Sequence, residues 1–249
     1  MPDALALTLR QYRLERRMFW RNPAGAFFNF GLPLIFLLLL GAVFAGRSDV
    51  LDVLVPGIAG LAIMSTTFTA LAMNLTTLRE AGVLKRIRGT PLPAGSYLAS
   101  FALHSLTNAV TQVVLIIGIG HLVFGTPWPQ DWPELVVFAG CGILALAAFG
   151  VAFSHVIPNV DSAPVFTNAV FLPMIFLSGT FYETDSAPSF VQDIARALPL
   201  THVIQGIHSS LEGGRDLGAS LNGLAVIAVW GVVAAVLAVR GFSWDSKRA

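Results

Sequence analysis

A single cysteine, Cys141, stands in a chain of 249 residues. No intrachain disulfide can form, and cysteines cannot build a metal cluster. Within its apolar run Cys141 reads as a small packing residue. Charge is scarce too: 12% of residues are Asp, Glu, Lys or Arg, against about 25% in an average soluble domain. There is no Gly-x-x-x-x-Gly-Lys-Ser/Thr phosphate loop, no His-Glu-x-x-His and no Gly-x-Ser-x-Gly elbow. The long apolar runs hold Asp, Glu, Lys or Arg only at their edges. A charge at the bilayer centre costs ~2.5–3.5 kcal/mol on insertion scales and is kept where ion or proton coupling needs it. These gaps exclude a nucleotide site of the P-loop type in the chain. They also argue against proton-coupled transport and intramembrane acid–base catalysis. A net charge of +1 gives no basis for binding nucleic acid.

What is present is apolar. Hydrophobic residues make up 55% of the chain and the mean hydropathy is +0.73. A bilayer core of ~30 Å takes about 20 apolar residues per helix. Six stretches meet that length: 24–45, 53–77, 96–124, 134–157, 163–181 and 219–239. The expected fold is therefore an all-α membrane protein with six transmembrane helices in one domain, 1–249. Basic residues set the orientation. Arg10, Arg13, Arg16, Arg17 and Arg21, then Arg79, Lys85, Arg86 and Arg88, then Arg240, Lys247 and Arg248 fall on one side of a six-span chain. That side is expected to be cytoplasmic, with both termini inside. The opposite segments carry Asp49, Asp52, Asp131, Glu134, Glu183, Asp185, Asp193, Glu212 and Asp216. Val43-Phe44-Ala45 resembles a signal cleavage site, but the run before it is too long for an h-region and five more spans follow.

Residues 3–21 predict an amphipathic helix in the membrane interface. Arg10, Arg13, Arg17 and Arg21 share one face, Leu5, Leu9, Tyr12 and Phe19 another, and Arg16 fits neither. Asn22-Pro23 turns the chain into the first span. The second span is rich in hydroxyls, from Ser65, Thr66 and Thr67 to Thr76 and Thr77. These pair between helices or bond back to their own turn. His104, Asn108 and Gln112 in the third span predict helix–helix hydrogen bonding rather than a proton relay. Beyond the fifth span, residues 182–218 contain two short amphipathic patterns, 188–198 and 199–211, each led by proline. They are too short to span, which predicts a re-entrant or interfacial pair lying over an internal pathway.

The one strongly charged interruption is 78–93, between the second and third spans. It holds Arg79, Glu80, Lys85, Arg86 and Arg88. A transporter-like chain without its own energy source needs a partner to drive it, and this loop is the exposed handle.

The residues of that loop resemble a known family. Arg79-Glu80-x-Gly82-Val83-Leu84-Lys85-Arg86-Ile87-Arg88-x-Thr90-Pro91-Leu92 is similar to the first cytoplasmic loop of ABC-2-type transporter permeases. Phe176-Leu177-Ser178-Gly179-Thr180-Phe181 and Ala197-Leu198-Pro199-Leu200-Thr201-His202 are similar to the family's fifth-span end and outer re-entrant segment. Tyr182-Glu183-Thr184 departs from the family pattern, so the exit side is the least defined part of the match. The resemblance is nearest to the antibiotic- and multidrug-resistance branch. It implies a transmembrane permease subunit in a bacterial inner membrane, a non-enzyme paired with a second permease chain and with two ATPase subunits that hold ATP and Mg. It implies that the interface helix and the loop meet the ATPase, with coupling contacts at Glu80, Val83, Leu84, Lys85, Ile87 and Arg88. Val83, Leu84 and Ile87 share a helical face that could fill a groove. The resemblance also has spans two and five line the pathway, where Met64, Phe68, Leu71, Phe166, Phe171 and Leu177 lie. The implied cargo is a drug, antibiotic or lipid. A lipid-linked glycan, or a scaffold or sensor role without transport, are the alternatives; an ATPase partner separates transport from the last of these.

Overall fold

The computed structural model describes residues 4–88, 94–213 and 217–241. Residues 89–93 of the predicted handle, 214–216 of the outer segment and the basic tail residues Lys247 and Arg248 lie outside that set. Among the described residues the structure is helical throughout, without strands. The helices are α1 (Ala4–Arg21), α2 (Pro23–Val43), α3 (Ser48–Glu80), α4 (Val83–Arg88), α5 (Ala94–Phe124), α6 (Trp132–Phe153), α7 (Ala163–Leu177), α8 (Ser189–Ala197), α9 (Pro199–Glu212) and α10 (Leu217–Gly241).

Local chemistry sets the boundaries. Asn22 breaks α1 from α2: its side chain accepts from the Gly25 amide at 3.0 Å, with Pro23 at the first helical position. Asp131 caps α6 in the same way through the Glu134 amide at 3.1 Å. Pro199 opens α9, and Gly213 closes it in the left-handed conformation, φ +73°.

Among the described residues, five helices are long and apolar enough to cross a membrane: α2, α3, most of α5, α6 and α10. The expected sixth, 163–181, is shorter than its apolar run. Its helix α7 stops after 15 residues at Leu177. Ser178 leaves helical geometry and Gly179 takes φ +75°, where a Cβ would meet Thr184 Oγ1 at 2.4 Å. The chain therefore turns before the apolar run ends.

The long helix α3 occupies the centre. Its residues Val55, Ile58, Ile63, Met64 and Phe68 are fully buried against Ile116 of α5, Ile143 and Leu146 of α6, and Leu200, Val203 and Ile207 of α9. Glycines allow α9 this close. A Cβ on Gly60 would meet Ile204 at 2.5 Å, and one on Gly142 would meet Val203 at 2.4 Å. Small residues at helix contacts are the usual means of close packing in lipid, where hydrophobicity supplies no drive between helices. At the rim, α2 and α10 present Leu38, Leu39, Val229, Val232 and Val236 outward. Partway along α10, Trp230 Nε1 donates to the carbonyl of Ala197 at the end of α8, 2.9 Å away.

Candidate functional site

The basic end of the bundle is built around the last turn of α3. Helix α6 ends at Phe153, and Pro158 prevents its continuation, so the carbonyls that follow are left without helical partners. Arg79 answers them. It is 3% exposed; Nη1 donates to the Ser154 carbonyl at 2.9 Å and Nη2 to the Ile157 carbonyl at 2.6 Å. A planar guanidinium suits two divergent acceptors, and its charge complements the carboxyl end of α6. The neighbouring Glu80 Oε2 accepts from the Val160 amide at 3.0 Å. Two consecutive side chains thus fasten the end of α3 to the turn between α6 and α7. That turn is stiffened by Asn159, whose Oδ1 accepts from the Ser162 amide at 2.9 Å and from its hydroxyl at 2.7 Å.

Directly after this anchor the chain reverses. Gly82 takes φ +66° in open space, so conformation alone requires glycine there. Helix α4 follows at once, with the Arg86 amide donating to the Gly82 carbonyl at 3.1 Å. Lys85 and Arg86 are exposed and Val83 is half-buried. The side chains of Leu84, Ile87 and Arg88 lie outside the described residues. Of the predicted coupling residues, the structure therefore sets Glu80 in the last turn of α3, and Val83 and Lys85 on the short helix α4 that follows the turn at Gly82.

Beside this anchor, α1 lies along α5. Tyr12 and Thr107 share a hydrogen bond of 3.2 Å between their hydroxyls, and the Ser96 hydroxyl donates to the Ala4 carbonyl at 3.3 Å. Arg16, the misfit of the helix pattern, turns inward and reaches Asn108 Oδ1 at 3.5 Å. Glu15 is buried; loss of water pushes its carboxyl above the ordinary range, and the hydrogen bond from Gln11 at 2.7 Å partly offsets this. From Arg16 a file of polar groups runs into the bundle along α5. Asn108 Nδ2 lies 3.0 Å from His104 Nε2, and one turn deeper Gln112 Nε2 donates to Thr66 Oγ1 at 2.6 Å and to Asn29 Oδ1. The Thr66 hydroxyl donates to Asn29 Oδ1 at 3.1 Å. Asn29 and Thr66 each sit in a π-helical turn, Phe27–Gly31 in α2 and Ser65–Thr69 in α3. Such turns widen a helix locally and redirect a side chain. Three further hydroxyls of α3 bond back to their own turn: Thr67 to the Ile63 carbonyl at 2.6 Å, Thr76 to Ala72 at 2.8 Å and Thr77 to Met73 at 2.9 Å.

The six pathway residues are not brought onto one surface. Met64, Phe68 and Leu71 are sealed in packing; Phe68 stacks on Phe149 at 4.9 Å between centroids and leans on Phe153 at 5.3 Å. Phe166 is half-buried against Ala72, Ile157 and Ala163. Phe171 and Leu177 are half-buried on α7.

Sequence reasoning grouped Arg79 with the exposed charges and missed its burial. A signal was present: Leu71, Ala72 and Leu75 stand eight, seven and four residues before it, all on the buried face of α3. For Asn29 no local signal existed, because its partners come from two other helices.

A helical bundle with several apolar crossings, a dry centre and a charged helix held at one end defines a multi-pass membrane protein of the permease class. The family model described as ABC-2 type transporter matches residues 5–211. The chain belongs to the ABC-2 type transporter family, and it is a transmembrane permease with a transport role. Among its relatives, nodulation protein J of Rhizobium leguminosarum bv. viciae is 27% identical over 223 residues, 86% of this chain and 85% of that protein. The "Probable multidrug ABC transporter permease YbhS" of Escherichia coli K12 is 21% identical over 194 residues, 77% of this chain and 50% of that protein. The daunorubicin resistance ABC transporter permease protein DrrB1 of Streptomyces coeruleorubidus is 25% identical over 193 residues, 73% and 66% of the two chains.

Proposed function

We propose that this chain is the membrane subunit of an ATP-driven exporter of hydrophobic or amphiphilic compounds, a drug, an antibiotic or a lipid. On this reading α7 completes six crossings, the basic end faces the cytoplasm with both termini, and α8 and α9 dip back from the outer face as a lid. One permease domain, 1–249, pairs with a second copy in a bacterial cytoplasmic membrane. Two ATPase subunits beneath supply ATP and Mg chemistry, and this chain is not itself an enzyme. The observation that carries the reading is the hinge at Gly82. It holds a short charged helix at the basic end, continuous with the most buried span. A push on α4 is delivered to α3 without an intervening flexible segment. The multidrug and daunorubicin names among the relatives support the cargo class.

Within this reading Glu80, Val83, Leu84, Lys85, Ile87 and Arg88 face the ATPase. The apolar members fill a groove and the charged ones set register. Phe166, Phe171 and Leu177 on α7 are available to line the pathway, with Met64, Phe68 and Leu71 as the packing behind it. The test is co-expression with the ATPase subunit, followed by affinity purification through a tag on this chain. The wild type is expected to retain the ATPase subunit. Leu84→Asp combined with Lys85→Glu is expected to reduce it at least tenfold at equal membrane insertion. Full retention by the double variant would refute the coupling role. No retention by the wild type would favour a scaffold or sensor.

A further inference from the structure

We propose that Arg79 is a positioning residue that makes the turn between α6 and α7 move with α4, so that one push is shared by α3, α6 and α7. This deepens the proposed function and rests on it. Helix α4 is joined through the chain to α3 before it and to α5 after it, but not to α6 or α7. Without a tie at this level, displacement of α4 would reach α6 and α7 only through the side-chain packing of α3. The tie is present at the level of the hinge. Arg79 holds the carbonyls of Ser154 and Ile157 at 2.9 and 2.6 Å, and Glu80 holds the Val160 amide at 3.0 Å. Three hydrogen bonds to backbone atoms along seven residues grip the turn itself rather than any one side chain. Backbone acceptors cannot swing away as rotamers do, so the grip transmits displacement. Ile157 and Ala163, fully buried beside Ala72 of α3, close the contact from the apolar side. The Asn159 bonds to Ser162 make the turn rigid enough to carry the motion into α7.

The chemistry of the site favours arginine over lysine. Two carbonyls lie in divergent directions from one guanidinium, whereas an ammonium on its flexible stem reaches one of them. Arg79→Lys is therefore expected to fall between the wild type and Arg79→Ala.

Two measurements test this, and they fail separately. The first needs no partner. In a Cys141→Ser background, Ala81→Cys, an exposed position beside Glu80 that keeps its carboxylate, and Val160→Cys are bridged in membrane vesicles with a short bismaleimide. The bridge is expected to form readily with Arg79 present and at least fivefold more slowly with Arg79→Ala. Equal rates would overturn the tie. The second uses the complex of this chain with its ATPase subunits, with daunorubicin as probe. Arg79→Ala is expected to keep the basal ATPase rate and the amount of assembled complex, while daunorubicin-stimulated ATPase falls at least tenfold. Installing the 81–160 bridge in the Arg79→Ala protein is expected to restore stimulation by several fold, which a folding defect would not allow. A tie that depends on Arg79 with unchanged stimulation in Arg79→Ala would overturn the positioning role. A wild type that shows no stimulation by daunorubicin or by a panel of amphiphilic drugs would overturn the exporter reading and this role with it, and the bridging result would still stand.

Discussion

Arg79 and Arg16 are both charged residues in a chain that has few, and neither behaves as a surface charge. Arg79 is spent on two carbonyls more than seventy residues away, and Arg16 points at Asn108 of α5. Both were visible as oddities in the helical pattern, one on a buried face and one on no face, but their partners were not. Partners set by tertiary packing leave no local trace. Glu15 yields a pH dependence. Its carboxyl is raised by burial, so the docked α1 favours the protonated form. The stabilisation of docking is complete below the ordinary glutamate range and is lost as pH rises through the raised value. Hydrogen exchange of residues 4–21 is expected to speed up from acid toward neutral pH beyond its intrinsic increase, and Glu15→Gln is expected to remove that extra term. Deeper in the bundle, Gln112→Leu leaves Asn29 and Thr66 with each other only. Interhelical hydrogen bonds in membranes are worth about 0.6–1.7 kcal/mol each. An unfolding titration in mixed detergent is expected to show a loss of about 1–2 kcal/mol.

At the scale of helices, the apolar periodicity placed most elements well, because length and composition alone decide what can cross a bilayer. The exceptions have physical causes. Span two was expected at 53–77 and is a helix over Ser48–Glu80; at its polar ends Asp49 pairs with Arg47 at 3.5 Å and Glu80 accepts from the Val160 amide. Span five was expected at 163–181 and ends at Leu177, because Gly179 turns left-handed inside an apolar run. The proline-led pair 188–198 and 199–211 corresponds to α8 and α9: Pro199 stands at the first position of α9, whereas Pro188 precedes α8 as its N-cap. Hydropathy did not show how far α9 is enclosed: Leu200, Val203 and Ile207 are fully buried against α3 and α6. Gly57 is the tightest of the contacts around α3. A Cβ there would lie 1.8 Å from the carbonyl oxygen of Thr180. Gly57→Ala must move backbone and is expected to destabilise by about 1–3 kcal/mol in the same detergent titration. Gly118→Ala, which meets open space, is expected to change little.

For the whole molecule, the arrangement separates a buried centre from an exposed apolar rim. Helix α3 runs through the centre, carries the π-helical turn with Thr66 in its middle, and emerges at the basic end as the anchor and then α4. The charged break between two apolar runs was legible from composition. Its grip on the α6–α7 turn was not, because that contact joins residues 79–80 to residues 154–160. ATP-dependent uptake of daunorubicin into inside-out vesicles, made from cells that express this chain with its ATPase subunit, reads the proposed activity itself. The wild type is predicted to accumulate the drug only with ATP, and Leu84→Asp with Lys85→Glu is predicted to reduce that accumulation at least tenfold at equal protein level. Equal ATP-dependent accumulation by the double variant would contradict coupling through α4.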